Sequence, residues 1–124
     1  MGRYPAGVGS VELEAHAVKV YTPQEAYAAW QAGEVSIVDC REQREYDTNH
    51  VPGMPLIPMS ELMDRLDEIP TGKPLVMFCR SGNRSGQVAD YLNNTGDFGE
   101  VANMEGGILG WAAQGLPYEG SPPE

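Results

Sequence analysis

Pro74-Leu75-Val76-Met77-Phe78 runs directly into Cys79-Arg80-Ser81-Gly82-Asn83-Arg84-Ser85, and this junction decides how the chain is read. The first part is a continuous apolar run of strand length, the pattern of a central strand buried on both faces of a parallel sheet. The second part is polar, holds a glycine, and leads into Val88, Ala89 and Leu92, whose helical spacing closes at Gly96. Strand, tight loop and helix follow one another, with Cys79 at the strand's carboxyl end.

The flanking segments continue the alternation. Ala17-Val18-Lys19-Val20 reads as a short strand, and Thr22-Pro23-Gln24-Glu25 matches a capping box with proline at the first helical position. That helix runs through Trp30 and stops at Gly33. Val35-Ser36-Ile37-Val38-Asp39 is β-branched and strand-like, ending at Cys40-Arg41. After a Pro and Gly punctuated stretch from Val51 to Pro58, Ser60 is expected to cap a helix with Leu62, Met63 and Leu66 on one face, ended by Pro70 and Gly72. Glu100-Val101-Ala102-Asn103-Met104 reads as a further strand, and Gly106-Gly107 opens a short helix through Trp111 to Gly115.

This pattern predicts βαβ units, hence a single α/β domain with a mainly parallel central sheet and helices on both faces. The domain is expected over 17–118. Residues 1–16, rich in glycine and without periodicity, form an N-terminal arm whose order the sequence leaves open. Residues 119–124 form a Pro-rich C-terminal tail expected to be irregular. In such sheets sites form at the carboxyl ends of strands, where Cys79 stands.

A chain of 124 residues supports one hydrophobic core. Its net charge of -10 repels phosphate backbones and anionic lipid, so neither nucleic acid nor membrane is an expected partner. No apolar run is long enough for a membrane span, and the N-terminal residues lack the core of a secretory signal, so a cytoplasmic location is expected. The two cysteines, Cys40 and Cys79, are far apart and no histidine is spaced for zinc, so free thiols and no metal or cofactor are expected.

The chemistry gathers in the Cys79 loop. Two of the chain's six arginines, Arg80 and Arg84, fall within seven residues of an otherwise acidic protein. Small residues at a helix N-terminus bind anions through backbone N–H groups and the helix dipole. The same features favour the thiolate, which is the nucleophile. Ser81 and Ser85 bring hydroxyl donors, Gly82 permits a tight curl, and the loop N–H groups from Arg80 to Ser85, Asn83 included, are expected to point at what the sulfur carries. A cysteine ending a core strand is often only a small hydrophobe, but Arg80, Gly82 and Arg84 directly behind it favour a site.

This loop resembles the Cys-Arg-x-Gly-x-Arg-Ser active loop of single-domain rhodaneses. Val38-Asp39-Cys40-Arg41-Glu42 with Glu45-Tyr46 and His50-Val51-Pro52-Gly53 is similar to that family's first motif. Met104-Glu105-Gly106-Gly107-Ile108 through Trp111 to Gly115-Leu116-Pro117 is similar to its closing motif. Asn49 stands where the family usually has glycine, and Met54 where it usually has a small residue. The resemblance implies a sulfurtransferase: Cys79 attacks the outer sulfur of a small anionic donor such as thiosulfate, sulfite leaves, and cyanide or a thiol takes sulfur from the persulfide. On physical grounds Arg80 and Arg84 would orient the donor while the backbone N–H groups hold the persulfide anion. Asp39 and Arg41 are expected to brace loops as structural support, which the resemblance also implies.

Two other functions fit the same residues. Cysteine phosphatases resemble Cys-x5-Arg, whereas four residues separate Cys79 from Arg84 here, which suits a smaller group than phosphate. A sulfur-relay or regulatory module serving one sulfur-accepting protein would keep every residue of the loop. Cys40 reads as packing more readily than as a resolving thiol, and His50 as a structural hydrogen-bonding residue. Trp30 and Trp111 read as core anchors, and Met54, Met59 and Met63 as gap-fillers.

Overall fold

A computed structural model describes residues 18–124, so the N-terminal arm and Ala17 lie outside the described residues. The chain forms β1 (Val20–Tyr21), α1 (Pro23–Gln31), β2 (Ser36–Asp39), α2 (Gln43–Thr48) and β3 (Asn49–His50). Two 3-10 helices, Met59–Asp64 and Leu66–Glu68, precede β4 (Leu75–Phe78), α3 (Asn83–Thr95), β5 (Val101–Met104), α4 (Gly107–Ala113) and β6 (Glu119–Gly120).

Four strands make one parallel sheet in the order β1-β5-β4-β2. The apolar run of β4 is central, paired with β2 from Ser36↔Leu75 to Asp39↔Phe78 and with β5 from Leu75↔Val101 to Met77↔Asn103. Burial explains its composition, because side chains of alternating residues leave opposite faces. Leu75 and Met77, with Val38 and Val101, pack on Val88, Ala89 and Leu92 of α3 and on Leu62 and Ile69. Val76 and Phe78, with Ile37, Ala102 and Met104, pack on Ala26 of α1 and on Ile108 and Trp111 of α4. Helices therefore cover both faces.

Trp111 anchors the second layer, fully buried with its ring edge-on to Tyr27, Trp30 and Phe78 at centroid distances of 5.4, 6.3 and 5.9 Å. Its Nε1–H donates to the Pro117 carbonyl at 2.8 Å, so the indole is satisfied as well as buried. Truncating such a residue to alanine costs about 3–5 kcal/mol. Trp30 is only half-buried at the edge of this layer.

The start of α1 carries the full reciprocal capping box, Glu25 N–H to Thr22 Oγ1 and Thr22 N–H to Glu25 Oε1, with Pro23 at its head. The helix expected after Ser60 is corrected to two 3-10 turns. Ser60 sits inside the first of them, and its hydroxyl donates to Glu42 Oε1 at 2.6 Å rather than capping a helix. Arg65, at φ -128 and ψ 26, breaks the run before a regular helix can build. Met63 is 59% exposed, so it fills no gap, whereas Met54 is buried and Met59 packs partly on the core. Of the first strand expected over 17–20, Val20 pairs with Asn103, the Lys19 carbonyl accepts from the Asn103 N–H, and the strand runs on to Tyr21.

The C-terminal tail is not wholly irregular. Glu119–Gly120 pairs antiparallel with Asn49–His50, bringing the segment back across the domain. No helix among the described residues is long and apolar enough to cross a membrane.

Candidate active site

Cys79 follows the last residue of β4, and its sulfur sits inside the loop that leads to α3. Gly82, at φ 100, turns the chain in the left-handed region that favours glycine. A Cβ there would also lie 3.1 Å from the Gly106 nitrogen, so the close approach of the two loops needs the missing side chain. Helix α3 then starts with no side-chain cap, and its first turn has free N–H groups. They find the sulfur instead. The Gly82 N–H lies 3.1 Å from Sγ and the Ser85 N–H 3.3 Å, with the Ser85 hydroxyl at 3.2 Å. The positive end of a helix dipole adds to these donors.

A second set of contacts holds the loop. Asn103 on β5 donates from Nδ2 to the Gly82 carbonyl at 3.0 Å and accepts from the Ser85 hydroxyl at 2.5 Å. Gly86 leaves room for it, since a Cβ there would meet Asn103 Nδ2 at 3.2 Å. From the other side, the Ile108 and Leu109 N–H groups at the start of α4 donate to the carbonyls of Cys79 and Arg80, at 2.9 and 3.2 Å. Sequence reading placed Asn103 only in a strand. The β4–β5 register, which sets it beside the loop, is not visible in the chain order.

The predicted loop residues divide by role. Gly82 and Ser85 face the sulfur. Arg80, Ser81 and Asn83 are exposed, and neither the Ser81 hydroxyl nor the Asn83 amide makes a hydrogen bond among the described residues. The Ser81 hydroxyl is solvated, and among the loop hydroxyls Ser85 is the one that reaches the sulfur. Arg84 turns away to Glu45, its NH1 and NH2 each 2.8 Å from a carboxylate oxygen. That hydrogen bond is the main reason the Glu45 carboxyl is held down to about 2. Cys79 itself is fully buried, and so is Ser85.

Asp39 and Arg41 form a buried brace next to the loop. Arg41 Nε lies 3.1 Å from both Asp39 carboxylate oxygens and NH2 2.9 Å from one of them. The rest of the guanidinium goes to Asn49, with NH1 donating to Oδ1 at 2.9 Å and NH2 to the carbonyl at 2.8 Å. A charge pair this deep is tolerable because its donors are spent, and removing one partner costs about 3–5 kcal/mol. Asn49 is the second residue that sequence reading missed, noticed only as a departure from a glycine.

Cys40 is fully buried in the same apolar layer as Cys79. Burial first, then the neighbouring Cys79 and Asp39, pushes its thiol far up, so it stays protonated and is a poor nucleophile. His50 stacks on Tyr46 at 4.4 Å, and its Nδ1 lies 3.1 Å from the Tyr46 carbonyl.

These features have known counterparts. The family model of the rhodanese-like domain matches residues 22–114, and the chain belongs to that family. It is 40% identical over 84 residues to a sulfurtransferase of Allochromatium vinosum, covering 68% of this chain and 78% of that protein. Thiosulfate sulfurtransferase from Pseudomonas aeruginosa matches with a TM-score of 0.74 at 30% identity, over 89% of this chain and 21% of that one. A protein of Rhodopseudomonas palustris described as a possible tyrosine phosphatase gives a TM-score of 0.74 at 26% identity, over 96% of this chain and 98% of that one.

Proposed function

We propose that the protein is a sulfurtransferase in which Cys79 carries the sulfur as a persulfide. The Cys79 thiolate attacks the outer sulfur of a small anionic donor such as thiosulfate. A sulfur–sulfur bond forms as the donor's own breaks, and sulfite leaves with the electron pair. A nucleophilic acceptor, cyanide or a thiol, then attacks the outer sulfur of the persulfide and restores the thiolate. The covalent intermediate splits one transfer into two easier steps.

The observation that carries this reading is the set of donors around Sγ: the Gly82 and Ser85 N–H groups and the Ser85 hydroxyl, all within 3.3 Å. Donors fixed in place before the reaction stabilise charge on sulfur without reorganising. The relative from Allochromatium vinosum, itself a sulfurtransferase, supports the same activity. A phosphatase would need its loop arginine to clasp a phosphate, and here Arg84 is already bound at both ends of its guanidinium by Glu45.

Intact-protein mass spectrometry after thiosulfate treatment tests the proposal. The expected result is one added sulfur that is absent in Cys79→Ser and is removed by cyanide. No adduct from thiosulfate or any other sulfane donor, together with aryl phosphate turnover that needs Cys79, would overturn it.

A further inference from the structure

The segment from Glu119 to Glu124 is tied to the domain at several points. Besides the pairing of β6 with β3, the Ser121 N–H donates to the Thr48 carbonyl at 3.0 Å, and Asn49 Nδ2 donates to the Ser121 carbonyl at 3.0 Å. Gly120 makes the crossing possible. It sits at φ 101, and a Cβ there would overlap the Thr48 carbonyl oxygen. Asn49 supplies the amide that holds Ser121, which glycine cannot do.

Held there, Ser121, Pro122, Pro123 and Glu124 form one wall of a cleft of about 370 Å³. Arg80, Ile108 and Glu45 also line it. Arg80 adjoins Cys79, the Ile108 N–H holds the Cys79 carbonyl, and Glu45 holds Arg84. The cleft therefore borders the reactive loop at Arg80, next in sequence to Cys79, which is itself fully buried. Its volume falls near the low end of small-molecule sites, roughly 300–1,000 Å³. Two adjacent prolines make the outer wall stiff.

We infer that Glu119–Glu124 is a strap that sets the size of the molecule reaching Cys79, admitting small anions past Arg80 and excluding bulky donors and acceptors, including the loop of another protein. Removing the strap opens the cleft on one side and leaves the sulfur's own donors in place. The inference deepens the sulfurtransferase reading by naming the substrate class. Its test reads access to Cys79 rather than sulfur transfer, so the two can fail separately.

The test compares alkylation of Cys79 by iodoacetamide and by N-pyrenylmaleimide, located by peptide mass. It uses the wild type, Gly120→Val, and a chain ending at Tyr118, which keeps Leu116 and Tyr118 against the core. The bulky-to-small rate ratio is expected to rise about tenfold or more in both variants, the mark of a local barrier removed. A wild type whose two rates are equal once each is scaled to that reagent's rate with free glutathione overturns the inference. So does an unchanged ratio in the shortened chain. Should that chain not fold, Gly120→Val with a fast-exchanging Ser121 amide and an unchanged ratio overturns it equally. A raised ratio in a protein that transfers no sulfur would keep the strap and discard the sulfurtransferase.

Discussion

Arg84 gives both ends of its guanidinium to Glu45, each nitrogen 2.8 Å from a carboxylate oxygen, while Arg80, its partner in the loop, lines the open cleft. The two arginines look alike in sequence and act differently in the fold. Arg84 ties α3 to α2, and Arg80 stays exposed beside the cleft.

Substituting them is expected to separate binding from stability. Arg80→Ala should raise KM for thiosulfate about threefold to tenfold, as for an exposed charge, and flatten its dependence on ionic strength. Arg84→Ala should instead lower the unfolding midpoint, because it leaves Glu45 with an unpaired charge. Steady-state kinetics at two salt concentrations, alongside thermal melts, checks both. Equal KM effects from the two variants would show that Arg84 leaves Glu45 to hold donor.

The same ion pair predicts an acid dependence. Glu45 is held down to about 2 in the folded protein against an ordinary carboxyl value of 4.5, so its contribution is fully present above the higher value and fades as pH falls towards the lower. Glu45→Gln should therefore be less stable than the wild type at neutral pH, and the gap should close between those two values. Urea midpoints across that range measure it. A gap that stays constant down to the acid end would mean that Arg84 does not set the Glu45 pKa.

Ser85 has one hydroxyl proton and two acceptors, Cys79 Sγ at 3.2 Å and Asn103 Oδ1 at 2.5 Å. When Cys79 is a thiol, its own proton can point to Ser85 Oγ while Ser85 donates to Asn103. When the sulfur is anionic, the hydroxyl must serve it. Asn103 is thus a positioning residue that sets where the Ser85 oxygen lies. Ser85→Ala is expected to slow persulfide formation about tenfold to a hundredfold, the worth of one hydrogen bond to a charged group. Asn103→Ala should slow it less and shift its pH profile, which a purely structural role would leave in place. Single-turnover rates across pH decide.

Much of this architecture is written locally. The β4 run, the Thr22–Glu25 capping box and the cysteine at a strand end depend on neighbours in sequence, and each is found in the fold. Helix α2 was invisible because it buries no residue and so has no apolar stripe. Its signal was Glu45, three residues on from Glu42, whose carboxylate accepts from the Glu42 N–H at the helix start. The Asn103 contacts, the Asn49 brace and the fold-back of Glu119–Gly120 come from strand register and long-range pairing, which no local pattern encodes. Ser60 misled because its hydroxyl found a carboxylate, Glu42, 18 positions away.

The closing motif gives the sharpest stability prediction. Gly107 stands at φ 56, and a Cβ there would overlap the backbone of Cys79 and Arg80. The next two N–H groups, of Ile108 and Leu109, hold the carbonyls of those same residues. Gly107→Ala must therefore displace the reactive loop as well as bear a left-handed conformation, which alone costs about 1–2 kcal/mol. Gly115 is the control, since it has φ 76 and nothing within 4 Å of the added carbon. Gly115→Ala should cost only the backbone term and leave the Cys79 adduct intact, whereas Gly107→Ala should lose more stability and most of the adduct. Chemical denaturation and mass spectrometry on the two variants measure this difference. Equal losses from both would mean that the start of α4 does not hold the Cys79 loop in its reactive shape.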